Sequence, residues 1–158
     1  MRGKKAPKRK GNPDAIYGDV LLGKFINMVM IGGKKTVAQK IVYSALDDAA
    51  KKINKPNVNG FEVFTKVMAM LKPAIRLRSR RVGGANLQIP VPLDDDQGAF
   101  MAIKWILDAA RARKGQDMYL RLSAEFVDAY NGAGTGMRKR EEMHKMAEAN
   151  KAYAHFNW

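Results

Sequence analysis

Four arginines occur within six residues, at Arg76, Arg78, Arg80 and Arg81. A guanidinium group presents a rigid fork of N–H donors that matches a phosphate, so a run of this kind predicts binding to a polyanion. The alternative is a surface run whose charges are only solvated, but four like charges at this spacing repel one another. We therefore favour a polyanionic partner over the solvated alternative.

Basic residues also cluster in four other stretches, namely the N-terminus, a glycine-rich turn, the end of a predicted helix and the start of the last one. These residues are Arg2, Lys4, Lys5, Lys8, Arg9, Lys10, Lys34, Lys35, Arg111, Arg113, Arg138, Lys139 and Arg140. If the five clusters share one face, they could cover roughly six to ten phosphates. Affinity for nucleic acid would then fall roughly 10³- to 10⁵-fold between about 50 and about 200 mM salt.

Aromatic side chains follow the last basic cluster, at Tyr153, His155, Phe156 and Trp158. Aromatic rings beside arginine can stack on unpaired bases. They can equally pack against this protein or another one, and the sequence leaves both interpretations open.

No group of side chains points to catalysis. The chain has no cysteine and two histidines, His144 and His155, both in its basic C-terminal region. A nucleophile, an acid–base pair or a metal site needs convergent groups, which this distribution does not supply. The stretch Gly-Gly-Lys-Lys-Thr at 32–36 lacks the full spacing of a phosphate-binding P-loop. We predict no enzymatic activity, no cofactor and no metal.

The composition agrees with a nucleic-acid partner. Of 158 residues, 29 are Lys or Arg and 15 are Asp or Glu, which gives a net charge of +14. Such a field attracts nucleic acid or an anionic surface. No apolar run is long enough to cross a membrane, and no apolar segment follows the basic N-terminus as a secretory signal requires. We expect a basic flexible tail at 1–13 and a single domain at 14–158.

The arginine run lies in a predicted β-hairpin that spans 73–92. Alternation places Ile75 and Leu77 on one face of the first strand and Arg76, Arg78 and Arg80 on the other. The Gly83-Gly84 pair supplies the positive φ angles of a tight turn. We expect a three-residue loop at 83–85 rather than a two-residue loop, because it sets Leu77 opposite Val91 and keeps one face apolar and the other polar.

Helical periodicity surrounds this hairpin, so we predict a mostly α fold of about six helices, with one protruding β-hairpin arm between helices three and four. The first helix spans about 19–31, the fifth about 117–130 and the sixth about 135–154. Capping-box spacings at Thr36 and Asn59 predict the starts of helices two and three. The sixth helix is rich in charge and has only a thin apolar stripe, so we expect it to pack lightly.

Several stretches resemble one protein family. Arg80-Arg81-Val82-Gly83-Gly84, followed by Ile89-Pro90-Val91, resembles the hairpin of ribosomal protein seven of the small subunit. Residues 139–155 resemble the terminal helix of that family, and shorter matches lie at 41–46, at 108–111 and at Trp158. The matches follow in order along nearly the whole chain, and its length is similar to that of bacterial-type members.

The resemblance implies a helical body with a β-hairpin and a structural role in the small ribosomal subunit, in the cytoplasm, with an organellar ribosome as the open alternative. Members bind the head (3′ major) domain of small-subunit rRNA and help to start its assembly. They lie beside the exit-site tRNA and the mRNA exit path, near ribosomal proteins eleven and nine, without forming homo-oligomers. Carried over by position, the rRNA contacts fall on the five basic clusters, and the tip residues Val82, Gly83, Gly84 and Ala85 lie towards tRNA or mRNA.

The sequence departs from the family at two places. Asp94, Asp95 and Asp96 stand where members commonly have arginines, and Arg76 and Arg78 stand where a mixture of acidic and basic residues is usual. Phosphate is repelled by the aspartates, whose other expected role is at the N-terminus of helix four. We hypothesise that positive charge has moved up the arm. Replacing the three aspartates by arginine tests this, and weaker rRNA binding would count against it.

Two other classes of protein remain as rivals. A DNA-bending architectural protein also uses a basic β-arm, but it prefers kinkable duplex DNA, whereas an rRNA-binding protein prefers a folded RNA junction. An amphipathic target of the calmodulin type would need the last helix to bind alone, and its thin apolar stripe argues against that class.

Overall fold

The structure is a computed structural model, and it describes residues 3, 6, 11–55 and 58–156. The elements in order are α1 (Val20–Val29), α2 (Lys35–Ile53), α3 (Gly60–Leu71), β1 (Ile75–Val82), β2 (Ala85–Pro92), α4 (Asp95–Ala112), α5 (Met118–Tyr130), α6 (Gly134–Ala149) and a 3₁₀ segment, the C-terminal turn (Lys151–Phe156). Within the described residues, one antiparallel pair of strands lies between α3 and α4. The predicted fold class is therefore confirmed, and β1, β2 and their connection form the arm.

The core lies among helices α1 to α5, whose apolar residues recur at helical spacing and so face one another. Phe25, Phe64 and Phe126 meet at its centre, with ring centroids between 5.6 and 6.3 Å apart. All three side chains are buried, and aromatic contacts of this geometry add to the free energy gained from burial. From α6, Met137 joins this core.

One of the two predicted capping boxes is present. The Asn59 side chain accepts a hydrogen bond from the N–H of Glu62 at 2.9 Å, and the Glu62 carboxylate accepts one from the N–H of Asn59 at 3.3 Å. The prediction at Thr36 is wrong, because α2 begins one residue earlier, at Lys35. Thr36 therefore lies inside the first turn, and Lys34 occupies the N-cap position without a side-chain hydrogen bond.

The loop of the arm is shorter than expected. Val82 pairs directly with Ala85, so the connection has two residues and the predicted three-residue loop is wrong. The reason is conformational: Gly83 and Gly84 have φ angles of 56° and 87°, and a two-residue turn that follows the strand twist needs positive φ at both central positions.

The register also changes the two faces of the arm. Arg78 lies opposite Ile89 and Arg80 opposite Leu87, so these arginines share a face with apolar residues of β2. The expected division into one apolar and one polar face is therefore wrong. Ile89 is only 1% exposed, so part of the arginine-bearing face is covered by protein.

The predicted sixth helix consists of two elements. α6 ends at Ala149, where the Asn150 side chain donates a hydrogen bond to the carbonyl oxygen of Met146 at 2.7 Å and competes with continuation of the helix. The C-terminal turn follows. The expectation of light packing holds, since α6 buries only Gly136, Met137 and Ala147.

Candidate nucleic-acid interface

The arm presents three of its four arginines to solvent. Arg76, Arg78 and Arg81 are exposed, and the structure gives none of them an ion pair with a described acidic residue. Arg80 is half-buried, and its Nη1 donates a hydrogen bond to the carbonyl oxygen of Phe156 at 3.1 Å. A phosphate can therefore approach the guanidinium groups of Arg76, Arg78 and Arg81 without displacing an ion pair within the described protein.

The tip of the arm is open on all sides. Val82, Gly83, Gly84 and Ala85 form it, and a Cβ atom added to either glycine would meet no atom within 4 Å. The tip therefore has room for a partner to approach its backbone closely.

Two of the predicted basic clusters meet in one groove. Lys34, in the turn between α1 and α2, and Arg111, in the last turn of α4, line the same groove. The Arg111 guanidinium also reaches the carbonyl oxygen of Met28 at 3.4 Å. Lys35, the first residue of α2, is exposed next to Lys34.

The floor of this groove is apolar and was missed by the sequence reasoning. Ile31 and Val37 are 74% and 50% exposed and flank the glycine turn. The sequence feature that could have indicated this floor is the position of Ile31 and Val37 outside the buried apolar stripes of α1 and α2. Cations above an apolar floor suit a nucleotide, whose phosphate is anionic and whose base has an apolar face.

Arg113 forms ion pairs within the protein. Its Nε donates to Oε1 of Glu125 at 2.6 Å and its Nη2 donates to Oδ2 of Asp128. Glu125 is only 4% exposed. The hydrogen bond that Arg113 donates to Glu125 raises the pKa of Arg113, and the one it donates to Asp128 raises this pKa further, against the opposing effect of burial. The pair fastens the end of α4 to α5, so Arg113 has less freedom to reach a phosphate than Arg111.

The basic start of α6 is only partly accessible. Arg138 is exposed, whereas Lys139 and Arg140 are half-buried. Within the described residues, Nε of Arg140 and Nε2 of His144 are buried without a hydrogen-bond partner. Burial lowers the pKa of His144, and the charge of Arg140 lowers it further, so this imidazole is neutral at neutral pH.

The C-terminal aromatic residues are only partly described. Tyr153 is 38% exposed, and the rings of His155 and Phe156 lie 4.0 Å apart. The C-terminal turn packs against β2, so contact with the protein's own arm is one use of this segment. Seven predicted site residues lie outside the described residues: Arg2, Lys4, Lys5, Lys8, Arg9, Lys10 and Trp158.

The three aspartates lie at the N-terminus of α4, as expected, with Asp95 and Asp96 in its first turn. Asp94 occupies the N-cap position without a side-chain hydrogen bond. Asp95 pairs instead with Lys72, and Asp96 pairs with Lys24 at 3.0 Å. These ion pairs lie at the surface, where each contributes little to stability, but they occupy two lysines at the base of the arm.

The described residues contain no group of three acidic, histidine or cysteine side chains that could hold a metal ion. Among the same residues, no helix combines the length and apolar character needed to cross a bilayer.

Comparison with known proteins identifies relatives of the same length. Small ribosomal subunit protein uS7 of Kosmotoga olearia is 49% identical to this chain, that of Petrotoga mobilis 48% and that of Thermotoga neapolitana 47%. Each comparison spans all 158 residues of this chain and the whole relative. The family model described as ribosomal protein S7p/S5e matches residues 1–151. Identity near one half over the full length, together with this match, shows that the chain belongs to the ribosomal protein S7p/S5e family.

Proposed function

We propose that this protein is a structural component of the small ribosomal subunit in the bacterial cytoplasm, where it binds ribosomal RNA. In finer detail, it binds the head domain of the small-subunit rRNA and helps to start the assembly of that domain. It lies beside the exit-site tRNA and the mRNA exit path, with ribosomal proteins eleven and nine as neighbours. Because the family is one of structural proteins, the chain is not an enzyme.

The observation that carries the RNA-binding proposal is the state of the arm's arginines. Arg76, Arg78 and Arg81 are exposed without an ion pair to described acidic residues, although the chain has 15 acidic side chains. Buried or paired arginines would contribute to contacts within the fold, whereas these three are accessible to an external anion. The fork of N–H donors of a guanidinium group matches the geometry of a phosphate, which is the anion that RNA supplies.

The proposed contacts extend from the arm to the groove and to α6. Lys34, Lys35 and Arg111 bind phosphate at the groove, and Arg138 does so at α6, with Lys139 and Arg140 beside it. The N-terminal basic residues add contacts as a tail on a single domain at 14–158. The arm's tip lies towards tRNA or mRNA.

A competition experiment tests this function. A transcript of the head domain and a duplex DNA of equal length are titrated with the full-length protein at several salt concentrations. We expect the folded RNA to bind more tightly at every salt concentration, because recognition depends on RNA shape and 2′-hydroxyl groups. Tighter binding to duplex DNA would favour the architectural alternative and contradict the proposal.

A second experiment uses whole particles. Small subunits reconstituted with the protein are sedimented through sucrose gradients in high salt. We expect the protein to remain with the subunit, since it is held by many phosphate contacts and by neighbouring proteins. Release under a mild wash would contradict a structural role.

A further inference from the structure

The C-terminal turn closes against the arm from far away in the sequence. Residues Lys151–Phe156 pack along β2, and the Arg80 side chain reaches across 76 positions of sequence to the carbonyl oxygen of Phe156. A cation suits this place, because the last carbonyl groups of a helical segment have no partner within it. The contact therefore joins the outer half of β1 to the end of the described chain.

The arm needs such support. A two-stranded hairpin is marginally stable in water on its own. Among the described elements, only α6 and the C-terminal turn contact the two strands from outside the arm. Ile89 is 1% exposed in β2, and a ribbon of two strands cannot bury a side chain by itself. Its cover therefore comes from these two elements.

The two supporting elements divide the arm between them. α6 packs mainly on β1, and the C-terminal turn packs mainly on β2. His144, Ala147 and Lys151 line a groove together with Ile75 and Pro90, so the base of the arm rests on the end of α6. Arg80 lies further along β1, and its hydrogen bond to the carbonyl oxygen of Phe156 attaches that part of the strand to the C-terminal turn. Removal of the turn would remove this hydrogen bond together with the packing of the turn on β2.

We propose that the C-terminal turn is a brace that fixes the direction of the arm, with Arg80 as its positioning residue. It follows that Arg76, Arg78 and Arg81 are the arm's phosphate contacts and that Arg80 is not one of them. This second part rests on the proposed binding of rRNA. The brace makes the spacing of the three exposed arginines a fixed property of the free protein, so binding does not have to order the arm.

The test compares Arg80→Gln with Arg78→Gln in the full-length protein. Both variants lose one positive charge from β1, but only Arg80 makes a hydrogen bond to the C-terminal turn. Amide hydrogen exchange is measured in the free proteins, and the salt dependence of binding is measured on the head-domain transcript. A variant that ends at Asn150 removes the brace by a second route, while the buried residues of α6 stay in place.

For Arg80→Gln and for the shortened chain, we expect exchange of the β2 amides to accelerate by roughly tenfold, as loss of a charge-assisted hydrogen bond predicts. For Arg78→Gln, exchange should stay unchanged. The slope of log K against log salt should drop by roughly 0.7 to 0.9 for Arg78→Gln, because one phosphate contact is lost, and should be kept for Arg80→Gln.

Equal amide exchange in Arg80→Gln and Arg78→Gln would overturn the brace. A reduced salt slope for Arg80→Gln would overturn the claim that Arg80 is not a phosphate contact. If none of the proteins, including the unaltered one, prefers the transcript over duplex DNA, the proposed function fails, and the exchange data still decide whether the brace exists.

Discussion

Asp14 illustrates how this chain uses an acidic side chain within the fold. It is 6% exposed, and its carboxylate accepts hydrogen bonds from the Tyr43 hydroxyl at 2.6 Å and from the N–H groups of Ile16 and Tyr17 at 3.1 Å. Burial raises the pKa of Asp14, but the hydrogen bonds together lower it below its ordinary value. Burial and the neighbouring carboxylate raise the pKa of Tyr43 to about 12.

Removal of the hydroxyl in Tyr43→Phe should lower the free energy of unfolding by about 1.5 to 3 kcal/mol at neutral pH, since the lost hydrogen bond is to a charged group. Because the pKa of Asp14 is lower in the folded state, its stabilisation is complete above the pKa of the unfolded chain and is lost as the pH falls through the folded-state value. The difference between Tyr43→Phe and the unaltered protein should therefore shrink as the pH falls below the ordinary pKa of an aspartate, about 3.9.

Urea unfolding followed by circular dichroism measures this difference. Tyr119→Phe is the matched control, because the structure gives the Tyr119 hydroxyl no hydrogen bond to a described residue. A difference that stays constant across the pH range would show that the Asp14 carboxylate does not contribute.

Replacement of Arg113 should affect the free energy of unfolding more than the affinity for RNA. Arg113→Gln leaves the 4% exposed Glu125 without its cation, and we expect the free energy of unfolding to fall by about 1 to 3 kcal/mol. The side chain of Arg113 is itself 38% exposed, which keeps the loss below that of a fully buried pair. Adding Glu125→Gln should recover part of the stability, because no buried carboxylate then remains.

The control for this prediction is Arg111→Gln, at an exposed position two residues before Arg113. It should change the free energy of unfolding by less than about 0.5 kcal/mol and should weaken RNA binding. The opposite pattern, in which Arg113→Gln alters only RNA affinity, would make Arg113 a phosphate contact.

At the scale of elements, the turn of the arm fixes which residues share a face. The two glycines with positive φ set a two-residue loop, and a loop one residue longer would shift every cross-strand pair. A Cβ atom added at position 83 would meet no atom within 4 Å, so only backbone conformation limits the choice of residue there.

The effect of a substitution at Gly83 on the stability of the arm should depend only on how well the new residue tolerates a positive φ angle. Gly83→Asn should leave the arm intact, because Asn tolerates positive φ and Asn-Gly is favoured in two-residue hairpin turns. Gly83→Val should cost about 1 to 2 kcal/mol in the arm, since a β-branched residue is strained at positive φ. Amide exchange of β1 and β2 should accelerate for Val and not for Asn, with global unfolding unchanged for both. Equal exchange in the two variants would contradict this view of the turn.

The sequence carried most of the fold and part of the site. The helices of the body were predictable because residues such as Phe25, Phe64 and Phe126 lie on continuous apolar stripes. The register of the arm was not, because the same alternation fits two loop lengths and only the φ angles of the turn decide between them. The roles of Arg80 and Arg113 depend on partners 76 and 12 positions away, which no local pattern reveals.

At the scale of the whole molecule, the ion pairs of the described residues do not involve the exposed arginines of the arm. Asp48 accepts a hydrogen bond from Ser123 and pairs with Lys52 at 2.6 Å, and Glu125 and Asp128 hold Arg113. Arg76, Arg78 and Arg81 have no ion pair with a described acidic residue. The net charge of +14 attracts an external polyanion. Affinity for RNA can come from the electrostatic field of the whole protein or from contacts between particular arginines and phosphates.

Two triple variants with equal net charge separate these possibilities. The first replaces Arg76, Arg78 and Arg81 by Gln, and the second replaces the exposed helical lysines Lys40, Lys51 and Lys104 by Gln. Direct phosphate contacts predict that the slope of log K against log salt on the head-domain transcript drops by about 2 to 3 for the arm variant, at roughly 0.7 to 0.9 per contact, and by less than about 0.5 for the lysine variant. Filter binding between about 50 and about 200 mM salt covers the range in which these slopes differ most clearly.

Equal losses in the two variants would mean that the total charge, and not the position of the arm's arginines, sets the affinity. A larger loss for the arm variant places the contacts on the arm, because both proteins carry the same net charge and differ only in where the cations were removed, and a larger loss for the lysine variant would contradict arm contacts.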